Sequence, residues 1–316
     1  MRYNNIGIGG VGAYIPPTVL TNEEIENRNV GTTADWIYDK LGIRERHIAG
    51  SETTADMGYI AALEALDDAG IDKEDLDLII VATSSPEQVA PSIACTIHNK
   101  LNIKKDVPAF DINAVCTGFV YAAMLAGPLI STGAYENILI IATEAYSNNT
   151  DWGHRNSVFF GDGAGAVVMN YSEDGWMIPE ISSNGSGTGM TGFSCKISET
   201  FIMHGKEVWD HAIKVLPKSI NNVLLESGLM RSDIKMIVPH QPSINILKEL
   251  SNSVGIPMDN VKTVMDKYAN IAGASVPIAL HSAIRSNEIS VGDNIILTAV
   301  GSGWTWGSIL LNYQRT

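Results

Sequence analysis

The stretch Ala69–Ile80, with the sequence AGIDKEDLDLII, occurs twice in this chain. It returns as Ser227–Val238, SGLMRSDIKMIV, displaced by 158 positions, with the same glycine, aspartate and apolar strand in register. A second pair agrees, because Asn137–Ile140, NILI, returns as Asn294–Leu297, NIIL, displaced by 157 positions. Two pairs at nearly the same displacement predict an internal duplication in which each copy forms about half of the chain.

Short β-branched runs alternate with longer helical patterns, which is typical of an α/β protein with buried parallel strands. A helix is predicted over Thr54–Ala69, because Thr53 and Asp56 form a capping box before it and Gly70 follows its end. The predicted strands are Leu76–Thr83, Pro108–Val115, Asn137–Thr143 and Ile234–Pro239.

The composition is that of a folded, core-rich protein. Hydrophobic residues make up 45% of the 316 residues and charged residues 18%, which is too apolar for a disordered chain. The length corresponds to about two domains, and the repeat predicts two halves, residues 1–171 and 172–316. The longest uncharged stretch, Ile112–Tyr135, is long enough to span a bilayer, but its glycines, Pro128 and polar residues favour a buried core segment.

Charge and cysteine usage exclude several classes of protein. The chain has 21 basic against 35 acidic residues, a net charge of −14, which argues against nucleic acid as a main partner. Cys95, Cys116 and Cys195 lie far apart without C-x-x-C spacing, which suits neither a disulfide framework nor a zinc site and favours a reducing compartment. Because the N-terminus lacks the apolar run of a secretory signal, we expect a cytoplasmic protein outside the membrane.

If the halves are equivalent, corresponding strand ends should meet near a pseudo-twofold axis, where α/β sheets bind ligands. The candidate in the first half is Cys116, in Asp111–Ala122, DINAVCTGFVYA, between a strand and an apolar helix. A thiol at a helix N-terminus is expected to have a lowered pKa and to act as a nucleophile. The alternative, that Cys116 is a buried packing residue, is about equally well supported by the local sequence.

The second half supplies two further candidates. His240 follows strand Ile234–Pro239, and Asn270 precedes a helix that begins near Ser275. Taken singly, His240 is more often a structural histidine and Asn270 a turn or capping residue. Their convergence with Cys116 on one side of the molecule favours a shared active site.

The glycine-rich segments exclude some functions and are compatible with others. Gly7–Gly12 satisfies G-x-G-x-x-G, but two prolines follow where a dinucleotide site needs a helix, and Gly187–Gly192 is predicted as an isolated loop. Phe160–Ala166 leads into a predicted strand, Val167–Asn170, and Gly301–Gly307 connects two predicted strands. The glycines of the last loop would allow backbone N–H groups to donate to a thioester oxygen, but the loop taken alone is better interpreted as a tight turn between buried strands. The histidines show no metal-ligand spacing, so no metal is predicted.

These residues together resemble one known family, the β-ketoacyl-acyl-carrier-protein synthase III group of the thiolase-like condensing enzymes. Six collinear stretches carry the resemblance, and they extend over essentially the whole chain: TADWI (33–37), GIRERHIA (42–49), AFD with CTGFVYA (109–122), FGDGAGA (160–166), VPHQ (238–241) and GWTWGS (303–308).

The resemblance implies a five-layered αβαβα fold of two similar halves and a homodimer. It also implies that Cys116 takes an acyl group from acyl-CoA, while His240 and Asn270 support decarboxylation of a malonyl thioester. The carbanion then attacks the acyl-cysteine without metal or redox cofactor. Backbone N–H groups of Cys116 and Ser302 are identified by the same resemblance as the oxyanion hole.

The coenzyme A contacts are also carried over by resemblance. Trp36 and Arg155 occupy the places of the aromatic and the arginine that clamp the adenine; packing of Trp36 against a helix end is the less favoured alternative. Family members usually carry an arginine at the position of Lys40, and basic residues near Asp210 and at the position of Asn245. On a protein of net charge −14, fewer positive charges weaken attraction to an acidic carrier protein.

Three functions are therefore open from the sequence. The first is a decarboxylating condensing enzyme in fatty acid initiation or a specialised lipid or polyketide pathway, with malonate arriving on carrier protein or on coenzyme A. The second is an acyltransferase that passes the acyl group from Cys116 to a non-malonyl nucleophile. The third, a silent partner subunit, is disfavoured because such a subunit need not keep Cys116, His240 and Asn270.

Overall fold

The structure, a computed structural model that describes residues 1–315, is built around an eight-stranded mixed β-sheet with helices on both sides. In chain order the strands are β1 (Tyr3–Tyr14), β2 (Thr18–Thr21), β3 (Glu45–Ile48), β4 (Leu78–Ala82), β5 (Ala109–Ile112), β6 (Asn137–Ala145), β7 (Asp162–Ser183), β8 (Phe193–Ser194), β9 (Ile202–Met203), β10 (Ile234–Pro239), β11 (Asn294–Gly301) and β12 (Thr305–Asn312). The helices are α1 (Asn22–Glu26), α2 (Ala34–Leu41), α3 (Thr54–Ala69), α4 (Ile93–Leu101), α5 (Gly118–Ser131), α6 (Gly187–Gly192), α7 (Gly205–Ser227), α8 (Ile244–Val254), α9 (Met265–Tyr268) and α10 (Ser275–Arg285).

The large sheet has the strand order β10-β11-β12-β7-β6-β4-β5, and β1 pairs with β7. Strand β4 pairs in parallel with β5 and β6, and β10 pairs in parallel with β11, which confirms the predicted parallel strands. In the middle of the sheet, β7 pairs antiparallel with both β6 and β12, and β12 pairs antiparallel with β11. The sheet is therefore parallel at its two ends and antiparallel in its middle.

Strand β7 belongs to both halves of the molecule. Its first part, Asp162–Asn170, pairs with β6, and its last part, Trp176–Ser183, pairs with β12. The predicted boundary between residues 171 and 172 falls inside this strand, at the point where its partner changes.

The helices complete five layers around the two parts of the sheet. Helices α5 and α10 pack in the middle, in a core that Ile80 of β4 and Leu297 of β11 enter from opposite sides. Helices α3 and α4 cover the outer face of the first part, where Ile79 points, and α7 and α8 cover that of the second, where Ile296 points. Because side chains alternate between the two faces of a strand, each strand contributes residues to two apolar layers. The predicted αβαβα order is confirmed. The uncharged stretch Ile112–Tyr135 contains the central helix α5, as predicted for a core segment.

The repeated sequence corresponds to repeated structure. Helices α3 and α7 both end in a glycine in the left-handed conformation, Gly70 with φ of 66° and Gly228 with φ of 73°. Each is followed by a single 3₁₀ turn and a strand of the repeat. A positive φ is disfavoured for residues with a Cβ, so the glycine after each helix suits the chain reversal.

Some strand and helix bounds were predicted correctly from the sequence and others were not. The helix Thr54–Ala69 and the strand Ile234–Pro239 are confirmed to the residue. The strand predicted at Pro108–Val115 ends at Ile112, because Val115 adopts a φ of +50° and opens a 3₁₀ turn instead. The predicted loop at Gly187–Gly192 is wrong, since these residues form the short helix α6.

The capping box of α3 makes a measurable contribution to stability. Thr53 Oγ1 accepts a hydrogen bond from the Asp56 N–H, and the Asp56 side chain accepts from the Thr53 N–H. Replacing Thr53 with alanine should lower the free energy of unfolding by about 1 kcal/mol. Chemical denaturation should show a lower midpoint with an unchanged slope, whereas Ser51→Ala, at an exposed neighbour, should leave the midpoint in place.

Within residues 1–315, no helix combines the length and the apolar character needed to cross a bilayer.

Candidate active site

Four of the predicted site residues line a single cavity of about 210 Å³ between the two halves, namely Cys116, His240, Asn270 and Ser302. Cys116 comes from the first half and the other three from the second. The duplication therefore brings together residues that lie far apart in the sequence, as the pseudo-symmetry argument predicts.

Cys116 lies in the middle of a 3₁₀ turn, Val115–Thr117, that leads directly into α5. Gly118, the first residue of α5, permits the close approach to β4, because a Cβ there would lie 3.0 Å from the Cβ of Ala82. The thiol is partly exposed to the cavity. The turn thus presents the sulfur at the N-terminal end of a helix, as the sequence predicts.

The charge state of Cys116 differs from the prediction. Burial raises the pKa of the thiol well above its ordinary value, and the nearby Glu144 carboxylate raises it further. The expected lowering considered only the helix N-terminus, and the sequence pattern showed neither the apolar cavity nor Glu144. Both effects disfavour the thiolate of Cys116 in the free protein.

His240 follows β10 directly and is 3% exposed, with its backbone N–H donating to the Thr298 carbonyl at 2.8 Å. Burial lowers the pKa of its imidazole to about 3, against the opposing effect of a hydrogen bond to the Ala272 backbone. Among residues 1–315, Nδ1 of His240 has no hydrogen-bond partner. The imidazole is thus neutral at pH 7, and such an unsatisfied buried group is typical of a binding or catalytic site.

Asn270 is held by its backbone and by its side chain. Its N–H donates to the Phe159 carbonyl and its carbonyl accepts from the Gly161 N–H, both at 3.1 Å, so the FGDGAGA segment fixes its position. Its Oδ1 accepts from the Ala272 N–H at 2.8 Å. Since the acceptor oxygen is engaged, the amide Nδ2 group is the donor that remains for a ligand.

Ser302 lies in the loop between β11 and β12, packed against the Cys116 turn. Thr117 Oγ1 and Thr305 Oγ1 are 2.9 Å apart and join the two segments. At Gly301 a Cβ would lie 2.9 Å from Thr117 Oγ1 and 3.1 Å from the Ala114 carbonyl. A glycine is therefore needed where this loop packs against the Cys116 turn.

Two buried polar residues support the site and were not assigned a role from the sequence. Gln241 fixes the segment after His240, because its side chain donates to the Pro239 carbonyl at 2.8 Å and accepts from the Val264 N–H at 2.9 Å. Glu144 is fully buried near the end of β6. An acidic residue in the otherwise apolar run ILIIATEA (138–145) is a signal that could have identified it.

Four packed aromatic rings stand next to Cys116 and were also missed. Tyr146 stacks on Phe160 at 4.9 Å between ring centroids, and Phe193 stacks on Phe201 at 5.5 Å. Phe160 and Phe193 line the cavity. The wall beside the thiol is therefore apolar and built from large, rigid side chains.

Trp36 and Arg155 lie beside each other and outside the cavity lining. The Arg155 guanidinium carbon is 4.4 Å from the centroid of the Trp36 ring. Trp36 lies on α2 one turn before Lys40, which lines the cavity. The predicted pair is thus near the cavity mouth, but its two members stack on each other.

Two of the three positions that depart from the family pattern, Lys40 and Asn245, line the cavity, and Asp210 follows the lining residue Trp209. Asn245 Nδ2 donates to the Lys40 carbonyl at 3.0 Å, and both residues line the cavity. Asp210 pairs with Lys206 on α7 at 2.5 Å, which reduces the free positive charge there. Among residues 1–315, no group of three or more His, Cys, Asp or Glu side chains is arranged to hold a metal ion.

The arrangement suits covalent acyl chemistry. A thiol, a neutral imidazole and an amide donor line one mostly apolar space, together with Ser302. A nucleophile with hydrogen-bond donors for a developing negative charge on oxygen is what acyl transfer and enolate formation require.

Two parts of the chain match known protein families. Residues 110–185 match the family described as 3-Oxoacyl-[acyl-carrier-protein (ACP)] synthase III, and residues 224–313 match its C-terminal family. The first contains Cys116, and the second contains His240, Asn270 and Ser302.

Curated relatives match over their full length. The chain is 39% identical to beta-ketoacyl-[acyl-carrier-protein] synthase III of Oceanobacillus iheyensis over 98% of this chain and 100% of that protein. It is also 39% identical to the synthase III of Methylococcus capsulatus, over 99% of both chains.

Solved structures agree with the fold. The 3-oxoacyl-[acyl-carrier-protein] synthase III of Aquifex aeolicus matches with a TM-score of 0.94 and 38% identity, covering 98% of this chain and 100% of that one. The priming β-ketosynthase of the R1128 polyketide pathway matches with a TM-score of 0.91 and 29% identity, covering 99% and 98% of the two chains. These matches confirm the predicted thiolase-like architecture.

Proposed function

Because the chain belongs to the 3-oxoacyl-[acyl-carrier-protein] synthase III family, we propose that it condenses an acyl group with a malonyl thioester, releasing carbon dioxide and a β-ketoacyl thioester. The observation that carries the proposal is the single cavity lined by Cys116, His240 and Asn270. A thiol alone would support acyl transfer of any kind, whereas the two additional donors suit the stabilisation of an enolate.

In the first step the Cys116 sulfur attacks the carbonyl of acyl-CoA. The new carbon–sulfur bond forms, the bond to coenzyme A breaks, and the Cys116 proton leaves with the coenzyme A thiol. Backbone N–H groups of Cys116 and Ser302 donate to the oxygen that becomes negative in the tetrahedral intermediate. Since burial disfavours the Cys116 thiolate, the thiol loses its proton as the bond forms.

In the second step the malonyl thioester loses carbon dioxide. The electron pair of the broken carbon–carbon bond is delocalised onto the thioester oxygen, where His240 and Asn270 donate hydrogen bonds. The carbanion then attacks the acyl-cysteine, the Cys116 sulfur leaves, and it takes up a proton. Because burial keeps His240 neutral, it acts as a hydrogen-bond donor rather than as a cation. Acyl-CoA and a malonyl thioester are the substrates, and the proposed steps use no further cofactor.

Trp36 and Arg155 are the proposed contacts for the adenine of coenzyme A. Both surfaces suit a flat base, since an aromatic face stacks and a guanidinium plane stacks and donates. The Arg155 guanidinium carbon lies 4.4 Å from the centroid of the Trp36 ring. The two side chains must therefore move apart before a base can bind between them. The measurement is the affinity for coenzyme A, which should fall in both Trp36→Ala and Arg155→Ala.

We further propose that each half, residues 1–171 and 172–316, is one copy of the duplicated unit and that the protein forms a homodimer. The repeated helix, glycine, turn and strand at 158 positions' displacement support the first statement. The family resemblance supports the second, which light scattering tests directly.

Gly301→Ala tests the role of the Ser302 loop. A Cβ at Gly301 would collide with Thr117 Oγ1, so the loop must move away from Cys116 and carry the Ser302 N–H with it. A displacement of about 1 Å costs on the order of 10²-fold in rate, and we expect acylation of Cys116 to slow by that amount. Gly185→Ala is the control, because a Cβ there meets no atom within 4 Å. Equal acylation rates in the two variants would contradict the role given to the loop.

Intact-protein mass spectrometry with a panel of acyl-CoAs, followed by malonyl-CoA or malonyl carrier protein, tests the proposed function. We expect an adduct on Cys116 that only a malonyl donor removes, with release of carbon dioxide. Removal by another nucleophile would indicate the acyltransferase, and no adduct from any acyl-CoA would indicate the silent subunit.

A further inference from the structure

Glu144 is a fully buried carboxylate that the proposed reaction does not use. Four donor groups surround it. Ser84 donates through its N–H at 3.2 Å and its hydroxyl at 2.8 Å, Ser85 donates through its hydroxyl at 2.5 Å, and the Gly273 backbone donates as well. A carboxylate accepts from four donors at once, whereas an amide presents an N–H₂ group in place of one acceptor.

The donors come from both halves of the molecule. Ser84 and Ser85 follow β4 in the first half, and Gly273 lies in a 3₁₀ turn, Ala272–Ala274, before α10 in the second. At Gly273 a Cβ would lie 3.2 Å from Glu144 Oε1 and 3.0 Å from the Val115 carbonyl. The turn is therefore in close contact both with Glu144 and with the turn that carries Cys116.

The same turn holds both proposed donors of the second step. The Ala272 N–H donates to Asn270 Oδ1 at 2.8 Å, and the Ala272 backbone forms a hydrogen bond with His240. Ala272 itself has a φ of +38°, a conformation that a residue with a Cβ rarely adopts unless its surroundings impose it. The hydrogen bond from the adjoining Gly273 to Glu144 is one such constraint.

We propose that Glu144 is a positioning residue, whose carboxylate holds the Ala272–Ala274 turn against the Cys116 turn and so sets the geometry between the nucleophile and the two donors. The inference rests on the proposed roles of Cys116, His240 and Asn270. Glu144 acts through Gly273 and Ala272, and it does not contact the reacting atoms itself.

The position of Glu144 also has an electrostatic consequence. Burial raises the pKa of its carboxyl to about 7, and its negative charge in turn raises the pKa values of Cys116 and Tyr146, the titratable groups that it faces. Tyr146 shares Ser84 Oγ with Glu144, at 2.9 Å from its hydroxyl. Removing the charge should therefore make the Cys116 thiol easier to ionise.

Glu144→Gln separates positioning from simple packing, because the side chain keeps its size. We expect kcat for malonyl decarboxylation to fall about 10²-fold, the cost of a small misplacement of donors, while KM for acyl-CoA changes less than about twofold. Alkylation of Cys116 by iodoacetamide, followed at its own peptide at one alkaline pH, should be faster than in the wild type, because loss of the charge makes the thiol easier to ionise. A purely structural role would reduce the folded fraction without changing the alkylation rate of the folded protein.

Asp68→Asn is the matched control. The Asp68 side chain is also buried, accepts from the Val11 N–H at 2.9 Å and pairs with Arg285 and Arg315, and none of these residues lines the cavity. The variant should lower stability and leave the alkylation rate unchanged. If Glu144→Gln does not fold, Ser85→Ala removes one donor of the carboxylate and should also lower kcat, by a smaller factor.

Wild-type kcat together with an unchanged alkylation rate in Glu144→Gln would overturn the proposal, as would equal effects in the control. The alkylation measurement needs no condensation activity. A wild-type protein that alkylates normally but never condenses would therefore contradict the proposed function, while the alkylation rate of the variant would still decide the placement of Glu144 beside Cys116.

Discussion

Cys116→Ser should fold normally and form no acyl adduct with any acyl-CoA. A hydroxyl is far less ionised and less nucleophilic than a thiol, and loss of the nucleophile in another covalent enzyme costs about 10⁶ in turnover. We expect condensation to fall by on the order of 10⁴-fold or more. Intact-protein mass spectrometry after mixing with acyl-CoA measures the adduct directly.

Cys95→Ser is the matched control, since Cys95 is an exposed thiol on α4. It should acylate at the wild-type rate. Labelling of Cys116→Ser comparable to that of wild type would remove Cys116 as the nucleophile and leave Cys195, which packs near the same aromatic cluster, as the next thiol to test.

His240→Ala should still accept an acyl group on Cys116 but fail to decarboxylate the malonyl thioester. Loss of one donor to a developing oxyanion costs about 10²–10³-fold in kcat, and the carbon dioxide released per enzyme should fall by that factor. Because the pKa of His240 is lowered to about 3, the wild-type imidazole should show no titration of its ring signals by NMR between pH 5 and pH 8.

The control for this variant is His98→Ala, at a histidine on α4 outside the cavity lining. It should acylate and decarboxylate like wild type. Normal decarboxylation by His240→Ala would refute the donor role, and a loss of acylation in the same variant would instead place His240 in the first step.

The parts of the fold that were predicted well are those specified by neighbouring residues. Thr53, Asp56 and Gly70 define both ends of α3 through local hydrogen bonds and a positive φ, and the helix is found at the predicted residues. The strand predicted at Val167–Asn170 is instead the 22-residue β7. Its length depends on pairing first with β6 and then with β12, and such distant partners leave no mark in a local pattern.

The candidate site also contains one part that was predicted correctly from the sequence and one part that was not. Strand ends and the repeat were sufficient to bring Cys116, His240 and Asn270 to one cavity. The pKa of Cys116 was predicted in the wrong direction, because it depends on burial and on Glu144, which reaches the thiol only through the packing of β6. Geometry follows from strand order, whereas electrostatics follows from three-dimensional neighbours that lie far away in the chain.

The continuity of β7 has a consequence for how substrates reach the buried sulfur. In many two-lobed enzymes the lobes swing apart about a flexible hinge, and the ligand moves through the gap. Here β1 pairs with β7 on both sides of the passage between the halves, with Tyr171 before it and with Trp176 and Met177 after it, across an irregularity in the register. Opening the molecule like a clamp would break hydrogen bonds between β1 and one part of β7, so the fold disfavours ligand exchange by separation of the two halves.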